Sequence, residues 1–95
     1  MPYANEIHFL VPEYTGNNPR KREENLRRTN VARKMNRWIE QIVAEERYGV
    51  HTFGEIMSGA GIENDDKDIA SELLYAVSYS SNGITIMKPK DSRAD

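Results

Sequence analysis

Val31-Ala-Arg-Lys-Met35-Asn-Arg-Trp38-Ile39-Glu-Gln-Ile42 is the stretch on which the fold turns. Its apolar residues Val31, Met35, Trp38, Ile39 and Ile42 fall at i, i+4, i+7, i+8 and i+11, one stripe of an α-helix. The spacing predicts a helix over residues 30 to 48, stopped by Gly49, with Met35 and Trp38 in the core. Leu26 lies five residues before Val31, so the stripe slips phase there, and Thr29 or Asn30 could cap a fresh start. Asn18 and Pro19 also have cap-and-first-residue chemistry, so the pattern leaves open whether residues 20 to 29 continue the helix.

Upstream, Ile7, Phe9 and Val11 alternate with His8 and Leu10, which predicts a short strand from Glu6 to Val11 ahead of Pro12. Tyr14 to Pro19 is loop chemistry. Downstream, Thr52-Phe53-Gly54-Glu55 has the form of a capping box and predicts a second helix from Phe53. That helix turns Phe53, Ile56 and Met57 inward and ends at Gly59-Ala60-Gly61. Asp65 is expected to head a third helix, with Asp66 and Asp68 in its first turn and Ile69, Ala70, Leu73, Leu74 and Val77 as its stripe, ending near Ala76. A hairpin follows, Val77 to Ser81 and Ile84 to Lys88 around Asn82-Gly83. Its register puts Val77, Tyr79, Ile84 and Ile86 on one buried face.

The fold class expected is α+β: three helices with an N-terminal strand and a C-terminal β-hairpin in one domain. Residues 1–19 are its strand and loop, 20–88 the body and 89–95 a disordered tail. The element order over residues 30 to 88 resembles the winged-helix variant of the helix-turn-helix, on order alone and with no family motif. That resemblance implies a third helix reading the major groove and a hairpin wing on the backbone.

Several chemistries are excluded. The chain has no cysteine, hence no disulfide or thiolate metal site, and no His-Glu-x-x-His spacing. The N-terminus lacks signal-peptide character and no apolar run reaches membrane-spanning length, so a cytoplasmic protein with no membrane partner is expected. His8 and His51 read as structural. Asp65-Asp66 is accounted for by a helix start rather than a cation, and Gly59-Ala60-Gly61 lacks the lysine and spacing of a phosphate loop. A non-enzymatic domain without metal or cofactor is expected.

Charge supplies the functional signal. Residues 20 to 37 hold Arg20, Lys21, Arg22, Arg27, Arg28, Arg33, Lys34 and Arg37 against Glu23 and Glu24, a local +6; residues 40 to 72 hold nine carboxylates against Arg47 and Lys67, a local −7. Cations early in the long helix and Glu40, Glu45 and Glu46 late in it oppose the macrodipole, at about 0.3 to 1 kcal/mol for each exposed mismatch. The third helix is acidic, which repels phosphates, so any nucleic acid must meet the eight cations named above. Tyr3, Tyr14, Tyr48 and Tyr75 could add stacking, although the core needs most of the aromatics. Two readings follow. One is a small regulator binding nucleic acid through those eight residues; the other is an inhibitor or adaptor, of the kind mobile elements use, docking Glu63, Asp65, Asp66, Asp68 and Glu72 on the basic groove of a nucleic-acid-binding protein. Leu26, Tyr48 and the outer side of the first strand favour a homodimer.

Overall fold

A computed structural model describes residues 3–89 of the chain. Helix α1 runs from Pro19 to Ala44 without a break, so residues 20 to 29 are helical. Asn18 starts it: its side-chain oxygen accepts from the Arg20 and Lys21 N–H groups at 3.0 and 3.3 Å, and Pro19 occupies the first helical position. The helix ends earlier than the expected Tyr48. Glu46 takes a left-handed φ of 53°, its N–H donates to the Val43 carbonyl at 3.1 Å, and the Arg47 N–H donates to the Ile42 carbonyl at 2.9 Å. That pair is a Schellman closure built without glycine. Gly49, the expected stop, instead opens strand β1 (Gly49–Thr52) with a φ of 123°.

Val31, Met35, Trp38, Ile39 and Ile42 are all buried, joined by Ala32. Nothing from Pro19 to Asn30 is buried, so the first three turns of α1 stand clear of the core. The radius of gyration, 14.4 Å, exceeds the about 12 Å usual for this length because of that overhang.

The N-terminal segment keeps the expected alternation but is not a strand. Ala4–Glu6 form a 3-10 turn, and the chain beyond is extended, with Ile7 and Phe9 buried and His8 and Leu10 exposed. Its backbone is satisfied by a side chain instead of a ladder: the Phe9 N–H donates to Asn36 Oδ1 at 2.8 Å, and Asn36 Nδ2 donates to the Phe9 carbonyl at 2.9 Å. A primary amide offers the same donor and acceptor pair as a neighbouring strand.

Helix α2 (Phe53–Ala60) begins in the expected capping box and closes on Gly61 at φ 68°. Ile56 is buried and Phe53 and Met57 pack on the core. Asn64–Asp66 then form a 3-10 turn, so Asp65 does not head the third helix; α3 runs from Lys67 to Ser78 and buries Ile69, Ala70, Leu73 and Leu74. Val77 lies in that helix and is half-buried.

The expected hairpin does not form. Tyr79 caps α3 in the left-handed region, at φ 57°, and is 82% exposed rather than buried. Ser78 Oγ lies 2.9 Å from the Ser80 carbonyl and 3.3 Å from that of Gly83, holding the turn to strand β2 (Gly83–Ile86). Strand β2 pairs antiparallel with β1, in the register Gly49↔Ile86 to Thr52↔Gly83. Ile84 and Ile86 are buried as expected, but against a partner from the α1–α2 link. Gly83 has no positive φ. It is glycine because a Cβ there would run into the His51 carbonyl oxygen. The winged-helix reading needed a hairpin after Val77, and there is no wing among the described residues; what stands is a small α+β domain of three helices and one two-stranded antiparallel sheet. The tail expected over 89–95 lies, beyond Pro89, outside the described residues.

His51 fastens this arrangement. The side chain is 7% exposed; its ring meets Trp38 edge-on at 5.3 Å and places Nε2 2.6 Å from the Arg47 carbonyl and Nδ1 3.0 Å from Glu55 Oε2. The helix α1 exit, β1 and α2 therefore meet on one side chain. The hydrogen bond from His51 is the main cause holding the Glu55 carboxyl below its ordinary value, followed by the Thr52 backbone N–H.

Two outcomes follow. A carboxyl whose pKa is lowered by folding stabilises above its ordinary range and loses that contribution as pH falls through the lowered value. Glu55→Gln is expected to reduce the thermal midpoint at neutral pH, and the gap from wild type should close under acid; a gap unchanged down to about pH 3 would contradict the clasp. Gly83→Ala is expected to cost about 1–3 kcal/mol in chemical denaturation by forcing β1 from β2. Gly54→Ala, in a helix where a Cβ would meet only Thr52 Oγ1 at an ordinary contact distance of 3.9 Å, should instead stabilise by up to about 1 kcal/mol.

Candidate nucleic-acid interface

The two charge blocks do not form separate poles, because the packing of α3 against α1 pairs them. Arg27 Nε lies 2.6 Å from Asp66 Oδ1, and its Nη2 donates to the Asp65 carbonyl. Arg28 Nη1 lies 2.9 Å from Glu72 Oε2 and its Nε 3.6 Å from Glu24 Oε1. The Asp66 carboxylate is committed to a guanidinium rather than to capping α3. Among the described residues no three potential metal ligands cluster.

The remaining cations sit differently. Arg20, Lys21 and Arg22 occupy the first turn of α1, which holds no carboxylate, so like charge meets the positive end of the helix dipole. Arg33 and Arg37, expected in early turns, lie mid-helix, where the dipole contributes little. Both are exposed, and neither has a carboxylate oxygen within 4.0 Å among the described residues. Lys34 is half-buried, with Nζ 3.4 Å from the Gly61 carbonyl.

Two walls frame this face. On one side the N-terminal arm folds back along α1, held by Asn36 on Phe9, by Asn25 Nδ2 donating to the Pro12 carbonyl at 2.7 Å, and by Arg22 Nη2 donating to the Gly16 carbonyl at 3.2 Å. On the other stands the link from α2 to α3, with Glu63 and Asp66. A hollow of 370 Å³ runs along the arm and one of 350 Å³ along the link, and Arg33 and Arg37 line both. They form the ridge between.

Three residues of this face were not among those expected. Leu26 is 59% exposed, in line with its phase slip and its expected place on a dimer surface, but was not expected beside the cations. Asn30 is exposed beside Arg33, and Asn36 holds the arm. Of the tyrosines considered for stacking, Tyr14 lies in the arm with its hydroxyl accepting from the Asn18 N–H at 3.0 Å, and the exposed Tyr75 is on α3.

A hollow of 530 Å³ lies between the sheet and the end of α3, with Val50, Val77 and Tyr79 on its wall. His51 beside it is held at both ring nitrogens, by the Arg47 carbonyl and the Glu55 carboxylate. No helix among the described residues is long and apolar enough to cross a membrane. Comparison with protein-family models, with curated proteins and with solved structures finds no match to this chain.

Because the blocks are paired, a change of charge acts differently at each. Asp66→Lys sets two cations together and is expected to lower the thermal midpoint, with a loss of about 1 kcal/mol, whereas changing the exposed, unpaired Arg33 and Arg37 to Gln leaves it nearly unchanged. Equal losses would contradict this division of the charges.

Proposed function

We propose that this chain is a small non-enzymatic regulatory protein that binds nucleic acid through the outward face of α1. The observation that carries the reading is the allocation of charge: Arg27 is paired with Asp66 in the turn before α3 and Arg28 with Glu72 on α3, while Arg33 and Arg37 stand exposed without a carboxylate partner among the described residues. Arg20, Lys21 and Arg22, set against the macrodipole in the first turn, gain nothing for the helix, and an anionic partner gives them and the exposed Arg33 and Arg37 a role. The helix order keeps the likeness to a helix-turn-helix core, but the third helix is turned toward α1 and offers acid, so α1 is the element that meets phosphates.

The inhibitor reading has less support. Two of its five carboxylates, Asp66 and Glu72, are bound to Arg27 and Arg28, leaving Glu63, Asp65 and Asp68 to attract a basic groove.

Binding to mixed-sequence DNA and RNA, followed by fluorescence anisotropy across a salt series, tests the proposal. Affinity should fall linearly with salt on a logarithmic plot, and each cation removed should reduce the slope by about one. Changing Arg33, Lys34 and Arg37 to Glu should abolish binding, and changing Glu63, Asp65 and Asp68 to Lys should not. Absence of salt-sensitive binding to any DNA or RNA at micromolar protein would sink the reading.

A further inference from the structure

The outward face of α1 is more than a run of positive charge. At about 100° per residue, Leu26, Asn30, Arg33 and Arg37 fall within about 60° of arc, on one side of the helix. All four are exposed. No side-chain hydrogen bond or ion pair within the described residues engages Asn30, Arg33 or Arg37. A solvated face needs neither an exposed leucine nor an uncommitted amide.

We infer that α1 is a reading helix for B-form duplex DNA, entering the major groove with Leu26, Asn30, Arg33 and Arg37 toward the base edges. The inference rests on the nucleic-acid reading above and names its ligand. The four side chains span the three chemistries that distinguish bases in that groove: guanidinium to the O6 and N7 of guanine, amide to the N6 and N7 of adenine, and an apolar contact to the thymine methyl. Lys34 and Arg22 flank the arc; each spends one N–H on a backbone carbonyl, of Gly61 and Gly16, and keeps others for a phosphate on either wall.

The dimensions agree. A helix with side chains is about 10–12 Å across and the groove about 12 Å wide. The arm lies along one side of α1, and Arg27 and Arg28 face Asp66 and Glu72 on another, so the arc from Leu26 to Arg37 is the side of the helix left open to a groove. Leu26 to Arg37 spans about 16 Å, or about five base-pair steps. Glu23 before it and Glu40 after it limit the footprint, since a carboxylate near phosphates is repelled. Other nucleic acids fit less well. The major groove of A-form RNA is too deep and narrow for side chains to read. Single strands are held by stacking, and the arc carries no aromatic residue.

Selection of duplex DNA from a randomised pool by the full 95-residue chain tests this, followed by titration of wild type, Arg33→Lys, Arg37→Lys and Asn30→Ala on the selected and on scrambled duplexes. Lysine keeps the charge and loses the bidentate fork. A recurrent motif of about five base pairs containing guanine is expected, and each lysine variant should lose about 5- to 150-fold on it. Affinity for the scrambled duplex and the salt slope should not change, and matched circular dichroism and thermal midpoints exclude misfolding. Salt-dependent binding with no motif, or preference for single strands or RNA over duplex, would overturn this inference and leave the proposed function standing. Absence of all binding would overturn both.

Discussion

The demand that Met35, Trp38 and Ile42 leave water orients everything else. Those residues, with Val31 and Ile39, form one stripe, and burying it fixes the rotation of α1 about its own axis. Once that rotation is set, Arg33, Arg37, Asn30 and Leu26 have no choice but to face outward. Trp38 then receives His51 edge-on, and His51 ties the α1 exit and α2 to the same core. Packing and the exposed ridge are two consequences of one helical period.

The second constraint is electrostatic bookkeeping inside the molecule. An acidic α3 and a basic α1 packed side by side neutralise part of each other, and ion pairs of this exposure are worth at most about 1 kcal/mol each. Their importance lies in selection rather than stability. Arg27 and Arg28 are taken out of play and Asp66 and Glu72 with them, so a chain whose net charge is −2 still presents one uncompensated positive ridge. The charge that acts on a partner is the charge left over after folding.

What could be read from the sequence was local and periodic. The α1 stripe, the Asn18–Pro19 start, the Thr52–Glu55 box and the Gly61 stop each depend on residues within one or two turns, and each was legible. Strand pairing was not. Asn82-Gly83 carries a strong turn signal, yet β2 finds its partner across two intervening helices, and nothing within Gly49-Val50-His51-Thr52 marks it as that partner. Alternation from Ile7 to Val11 reported which side chains are buried, not whether a strand lies alongside; the Asn36 amide took that place. At the candidate site the cations were visible individually. Their division into paired and free was not, because Arg27 meets Asp66 across a separation of 39 residues.

We propose that α1, and not the acidic third helix, is the contact surface, which backbone amide shifts of isotopically labelled protein would reveal by NMR as a short duplex is titrated in. The largest changes are expected at Leu26 to Arg37, with smaller ones at Arg20 to Arg22 and none beyond background from Asp68 to Tyr75. Changes centred on α3, with residues 26 to 37 silent, would contradict it.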